Sequence, residues 1–312
     1  MGLPAATISF RLGNPLIAAA GILAAVPVYI WWLRARRLSG RLRSILGSPA
    51  KPGGKALFAA RVTAIILLSL AASNPYIVEY RSVPVTLSNP EAYRGVPVRH
   101  IIIVDVSKSM NYRDLGESRI NAARSLIAKY LGELGAGDNV TIMTFSSNIT
   151  TLCSGSPEEC MGALSRLKAG EKYSALGDAL ARGVLEARVS GIPGVVVLVS
   201  DGGWNYGSDP RQVAERYRGM APVVLVRVGH DPRATVMEEA AAIMKARLFD
   251  LNEFSLKAIN DTVSELYMQA KYTALTRAGR TSIRVAYRSY YASSILGVLG
   301  AFFLVASLRE GV

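Results

Sequence analysis

Apolar positions along the 312-residue chain follow two distinct patterns. Three long runs, 15–33, about 56–77 and 291–308, are nearly free of charge. At 1.5 Å per residue each is long enough to cross about 30 Å of hydrocarbon as a helix. All three are expected to be transmembrane helices. The first ends in "WWLRARR", an aromatic interface anchor followed by charge, with no small-residue cleavage site, so it is expected to stay in the mature protein. The second carries Arg61 near its basic end, where the side-chain stem reaches the headgroups.

From Val98 onward the pattern changes to apolar runs of strand length alternating with amphipathic runs of helix length. "VRHIIIVDVS" reads as a fully buried strand, followed by a helix near 118–134. "NVTIMTFSS" is a second strand with a short edge strand at 149–153, and helices follow near 157–168 and 176–189. "GVVVLVSDG" is another central strand. A helix near 210–218, the strand "PVVLVRVG", a helix near 234–244, a strand at 247–251 and a last helix near 254–272 complete the order. This alternation implies crossover units, hence an α/β fold with a doubly wound, mostly parallel sheet flanked by helices, beside three transmembrane helices. The expected organisation is 1–80 for two spans joined by a loop at 34–55, 81–97 as linker, 98–275 as the α/β domain, 276–290 as a second linker and 291–308 as the last span.

Charge orients these pieces. The net charge is +13, half of the residues are hydrophobic and mean hydropathy is +0.26. The loop at 34–55 holds Arg34, Arg36, Arg37, Arg41, Arg43, Lys51 and Lys55 and no acid. A short basic loop between two spans is the positive-inside signal, so it is expected in the cytoplasm, touching anionic membrane lipid rather than nucleic acid. The protein is then a multi-pass cell-membrane protein. Its N-terminus and the region from about Tyr76 to Ser289 lie outside and Arg309 lies inside. Arg277, Arg280, Arg284 and Arg288 point the other way. Cys153 and Cys160, the only cysteines, flank "SGSPEE"; an exported domain would pair them, whereas two buried thiols are the alternative. Asn139, Asn148 and Asn260 begin Asn-x-Thr sequons, compatible with glycosylation outside the cell.

In a doubly wound sheet, ligands sit beyond the carboxyl ends of the strands. The first central strand runs into Asp105, Ser107 and Ser109, and "VVVLVSDGG" runs into Asp201 and paired glycines. A carboxylate and two hydroxyls at alternate positions on a curling loop surround one point. Oxygen ligands of this kind suit a hard cation, Mg2+ first, with Mn2+ or Ca2+ as alternatives, and argue against a zinc site built from Cys and His. His100 and His230 have no paired ligand and are read as structural. Enzyme chemistry finds little support. Lys108 points away from its serine neighbours, a metal hydrolase wants more carboxylate or His ligands, and "GELGAGDN" lacks the Lys and Ser or Thr of a phosphate loop.

"DVSKSM", "YSALGDAL" and "VSDG" together resemble the metal-ion-dependent adhesion site (MIDAS) of von Willebrand factor A (VWA) domains. The resemblance implies a metal held by Asp105, Ser107, Ser109, Ser174 and Asp201, with Ser174 standing where the family has Thr. It also implies that the hydroxyls bind directly, that the carboxylates act largely through water, and that one coordination position stays open for an Asp or Glu of a protein partner. The layout of two spans with a basic loop, a VWA domain and a final span resembles the Bat-type, aerotolerance-related membrane proteins. That family implies assemblies with other VWA membrane proteins and, indirectly, with a MoxR-type AAA+ ATPase. The expected function is a membrane-tethered, metal-dependent binding module and not an enzyme. The alternative is a structural subunit assembled through its helices, with the metal site only structural.

Overall fold

Strand β1 (Ile8–Leu12) is the first element of the computed structural model, which describes residues 8–46, 55–189, 191–229 and 235–309. Helices α1 (Pro15–Leu46) and α2 (Lys55–Ala72) and strand β2 (Pro75–Pro84) follow. The central part runs β3 (Arg99–Asp105), α3 (Arg119–Glu133), β4 (Asn139–Phe145), β5 (Ile149–Gly155), α4 (Pro157–Ala163), α5 (Leu176–Ala187), β6 (Gly194–Ser200), α6 (Pro210–Tyr217), β7 (Val223–Val228), α7 (Thr235–Met244), β8 (Arg247–Leu251) and α8 (Leu256–Arg277). Strand β9 (Ser282–Ser289) and helix α9 (Tyr291–Arg309) close the order. The chain divides into two units, one of residues 1–82 with 284–312 and one of 83–283.

In the first unit β1, β2 and β9 form a three-stranded sheet in that order, with β1 antiparallel to β2 from Ile8↔Glu79 to Leu12↔Pro75. The turn out of α2 is made by Asn74, which adopts a left-handed φ of 52° that asparagine tolerates better than most side chains. Asn14 N–H donates to the Ser73 carbonyl at 2.9 Å, so α1 starts where α2 ends. From there the helices run antiparallel to a stacked Trp32–Phe58 pair at 4.4 Å. Gly21 gives Ser69 room that a Cβ would fill, and Gly300 does the same for Leu68, so α2 packs against both α1 and α9.

The expectation of three spans is corrected to two. Pro15–Leu38 within α1 and Tyr291–Leu308 within α9 are long and apolar enough to cross a membrane. Among the described residues the apolar stretch of α2 is Phe58–Ala72, about 22 Å of helix against about 30 Å of hydrocarbon. The apolar residues that extended the expected span, Pro75 to Ile77, belong to β2, because the break at Ser73 and Asn74 turns the chain into the sheet. The basic segment after Leu33 is also not a loop at first: α1 continues as one helix to Leu46. Leu16, Leu23, Trp31, Val298 and Phe302 each expose more than three-fifths of their surface.

In the second unit β5-β4-β3-β6-β7-β8 form a six-stranded sheet, parallel except for the antiparallel edge strand β5. Alternation explains its two cores. Ile102 and Val104 of β3, with Val197 and Val199 of β6, face α3 and α8; Ile101 and Ile103, with Val196 and Leu198, face α5 and α6. All eight are essentially unexposed. Each such side chain contributes about 1.5–3 kcal/mol on burial, so the sheet centre anchors both ends of these strands. Cys153 of β5 and Cys160 of α4 are joined as a disulfide, which closes the choice left open by the sequence in favour of the bonded pair. His100 lies at the start of β3, buried, with Nδ1 2.8 Å from Tyr130 Oη and beside the Asp138–Lys271 ion pair of 2.9 Å. His230 lies outside the described residues.

Candidate metal centre

Asp105 is the last residue of β3, and the chain beyond it curls at once into a short 3-10 turn at Lys108–Asn111. The Ser107 N–H donates to Asp105 Oδ1 at 2.8 Å, which bends the loop back over the carboxylate. The Ser107 and Ser109 hydroxyl oxygens then stand 3.1 Å apart. A second loop is sewn to this one: Lys108 N–H donates to the Glu171 carbonyl at 2.6 Å, and Gly170 N–H donates to the Val106 carbonyl at 3.1 Å. That pairing brings in Ser174, whose Oγ lies 3.2 Å from Asp105 Oδ2 and 2.8 Å from the Gly203 carbonyl. A hydroxyl has one proton to give, and the shorter contact, to Gly203, takes it.

The third loop follows β6. Ser200 Oγ donates to Asp105 Oδ2 at 2.7 Å and accepts from Gly202 N–H at 3.0 Å. Gly202 has φ of 85°, a conformation open to glycine at no steric cost, and this lets the chain turn directly after Asp201. Gly203 N–H donates to Asp201 Oδ1 at 3.0 Å, and Asn205 Oδ1 accepts from Ser174 N–H at 2.9 Å. Three loops from the carboxyl ends of the strands therefore share one hydrogen-bonded centre.

Charge is unevenly compensated there. Asp105 and Asp201 are both fully buried. Asp201 Oδ2 accepts from Arg119 Nη1 at 2.9 Å, and the same guanidinium holds Asp114 through Nε at 2.9 and 3.1 Å. Among the described residues Asp105 receives neutral donors, Ser107 N–H and the Ser200 hydroxyl, with Ser174 Oγ alongside. Burial, and then the neighbouring Asp201 charge, push the Asp105 carboxyl up to about 6. A buried carboxylate without a cation is the feature a bound metal ion would complete.

The five residues expected from the sequence, Asp105, Ser107, Ser109, Ser174 and Asp201, come together here. Their donor set of three hydroxyls and two carboxylates fits a hard divalent cation. Among the described residues no three His, Cys, Asp or Glu side chains form a cluster suited to a metal ion. The hydroxyls open onto a depression of about 370 Å³ that Lys108, Lys172, Tyr112 and Trp204 also line. Sequence reasoning missed Ser200, Asn205 and Arg119. Ser200 lies inside "VSDG", where a serine at the end of a buried strand carries no mark that sets it apart from its neighbour Asp201.

Residues 100–203 match the von Willebrand factor type A domain family, a span that contains all five residues. Those residues thus resemble a VWA domain. Among solved structures it is similar to BatB from Bacteroides thetaiotaomicron, at 19% identity over 57% of this chain and 100% of that one, with a TM-score of 0.45. It is also similar to an aerotolerance-related membrane protein from Bacteroides fragilis, at 19% identity over 55% of this chain and 100% of that one, with a TM-score of 0.45. Proximal thread matrix protein 1 from the mussel byssus, solved with a zinc-occupied MIDAS motif, is similar at 17% identity over 68% of this chain and 52% of that one, with a TM-score of 0.49. No match was found among curated proteins.

Proposed function

We propose that this chain is a membrane-tethered VWA binding module in which Asp105, Ser107, Ser109, Ser174 and Asp201 hold a divalent cation that engages an Asp or Glu of a protein partner. The observation that carries the proposal is the buried, uncompensated Asp105 carboxylate beside three hydroxyls that open onto the surface. Mg2+ is the first choice for such oxygen donors, with Mn2+ and Ca2+ as alternatives. Bound there, the cation would supply an electrophilic coordination position for a carboxylate oxygen.

The residues of this chain set the strength of that position. Arg119 offsets part of the negative charge of Asp201, which leaves more of a dication's charge for the partner. Lys108 and Lys172 extend the positive field over the rim, which favours an acid-rich segment over a lone carboxylate and speeds encounter. The lining of the depression contains no His, Cys, Asp or Glu.

The apolar helices α1 and α9 support the tether. The N-terminal ends of both lie at the C-terminal end of α2, where Asn14 meets Ser73 and the Ser293 hydroxyl meets the Ala71 carbonyl at 3.2 Å. With α1 and α9 crossing the membrane, α2 carries the chain back beside them, its shorter apolar stretch packed against both, so this end and the connections into residues 83–283 share one side, and Arg34, Arg36 and Arg37 take the other. The positive-inside bias assigns the arginines to the cytoplasm and the VWA domain outside the cell membrane. The disulfide supports the same side, since such bonds persist in oxidising compartments. Partners in this reading are other VWA membrane proteins and, through the spans or another subunit, a MoxR-type AAA+ ATPase.

Partner capture from native membrane, with Mg2+ and with chelator, tests the reading against Asp105→Ala. Capture that needs both the metal and Asp105 is expected; equal capture in all conditions would sink it. The second reading, a subunit assembled through its helices, is favoured by the exposed apolar side chains of α9, such as Ile295 and Val298. It expects exchange of the spans to abolish assembly while Asp105→Ala leaves it intact. Protease accessibility in intact and opened cells tests the side assignment.

A further inference from the structure

At the end of the sheet opposite Asp105, a cleft of about 480 Å³ opens where α6, α7 and α8 end and β7 begins. Its apolar lining is Ala221, Pro222, Val223 and Met244, with Ala221 and Val223 buried. Three exposed cationic side chains, Arg218, Lys245 and Arg277, line it together with Gly219, Thr273 and Thr276, and no acidic residue does. Arg277 donates to the Gly219 carbonyl, while Arg218 and Lys245 have no ion pair or side-chain hydrogen bond among the described residues.

Basic residues often follow helix C-termini, where they offset the helix dipole. Three helix ends bring roughly half a negative charge each, about −1.5 against three full positive charges, so a positive excess remains. Lys245 adds a second observation. It follows α7 with φ of 54°, and Ala246 N–H donates back to the Ala241 carbonyl at 2.9 Å. This is the helix-ending position that glycine fills without strain. The chain instead places a lysine there, on the edge of the cleft.

We infer that this cleft binds an organic phosphate. Two guanidinium groups and an ammonium suit the three acceptor oxygens of a phosphate, to which arginine can donate two parallel hydrogen bonds. The apolar lining takes the organic part. Two sources share this chemistry, an anionic phospholipid headgroup and a soluble phosphate ester. The site is separate from the metal centre, because Val223 pairs near the start of β6 whereas Asp105 ends β3.

The test uses the full-length protein in neutral detergent, with dihexanoyl phosphatidylglycerol and glycerol 3-phosphate as separate probes. Affinity is measured for the unaltered chain, R218Q/K245Q/R277Q, K245G and the exposed-surface control K257Q. Binding at least tenfold weaker in the triple variant and unchanged in K257Q is expected. Binding of phosphatidylglycerol alone identifies the lipid headgroup, and binding of both identifies phosphate esters in general. Neither probe binding, equal binding by the unaltered and triple-variant chains, or equal losses in K257Q would overturn the inference. Should the triple variant fail to fold, K245G decides: it is expected to raise Tm while weakening binding at least threefold, and unchanged affinity overturns the assignment.

Discussion

The Arg119 guanidinium lies 2.9 Å from the buried Asp201 carboxylate, joining the start of α3 to the end of β6 across 82 positions of sequence. It is 5% exposed and Asp201 is not exposed at all, so neither charge has water to turn to. Removing one partner of such a pair costs about 3–5 kcal/mol, because the other is left buried and unpaired. Arg119→Gln is therefore expected to lower the unfolding temperature of the full-length protein markedly in chelator. A dication in the site would restore part of the lost compensation, so the rise in Tm on adding Mg2+ should be larger in this variant than in the parent. An equal or smaller rise would mean that Arg119 does not set the charge of the centre.

Metal binding should itself stabilise the fold. A ligand bound only by the folded state at a hundred times its Kd stabilises by about 2.7 kcal/mol. Mg2+ titration should give a saturable rise in Tm that Asp105→Asn and Ser107→Ala each abolish. Ser174→Thr, which restores the family's residue and keeps the hydroxyl, should retain it, whereas Ser174→Ala loses both the metal oxygen and the hydrogen bond to Gly203. A Mg2+ response that survives Asp105→Asn would place the ion elsewhere.

These two cases mark how far the sequence could be read. Asp105, Ser107 and Ser109 were legible because they alternate directly after a buried apolar strand, and Asp201 because it ends another. Ser174 needed the family resemblance, since nothing in its own neighbourhood marks a ligand. Arg119 was not legible at all. An arginine opening an amphipathic helix reads as surface, and only the packing of α3 beside β6 turns it inward. The strands of the central sheet followed from alternating patterns, but those of the sheet of β1, β2 and β9 did not. Pro75 to Ile77 merged with the apolar run before them, and the alternation of Ile283, Val285 and Tyr287 was read as linker. The helix beyond Leu33 was missed for a related reason: arginine and leucine are good helix formers, but positive charge after a span suggested a loop.

The Cys153–Cys160 bond ties the edge strand β5 to α4 and closes a loop with a sequence separation of 7. On the chain-entropy model a ring of that size stabilises by roughly 2–3 kcal/mol. The double substitution Cys153→Ser with Cys160→Ser should lower unfolding stability by about that amount, and reductant should have no further effect on it. Alkylation before and after reduction of the native protein checks the bond itself. Two free thiols in protein taken directly from membranes would contradict the bond, and with it one support for the outward side.

His100 gives a pH dependence whose sign can be worked out. Burial, the largest influence, lowers its imidazole to about 4 from the ordinary 6.5, against the opposing charge of Asp138; Lys271 lowers it further. Tyr130, Asp138 and Lys271 are the titratable groups that face it. Between pH 6.5 and 4 the unfolded chain binds a proton that the folded chain refuses. Stability attributable to this residue is thus fully present above 6.5 and is lost as pH falls toward 4, by up to about 3 kcal/mol. Asp105 titrates in the same window with the opposite sign, so total stability against pH would mix the two. The comparison that isolates His100 is between the parent and His100→Gln, each with Asp105→Asn in the background. The parent background should lose stability relative to the glutamine variant as pH falls from 6.5 to 4. A difference that stays flat across that window would mean that the imidazole is already charged in the folded protein or reaches water.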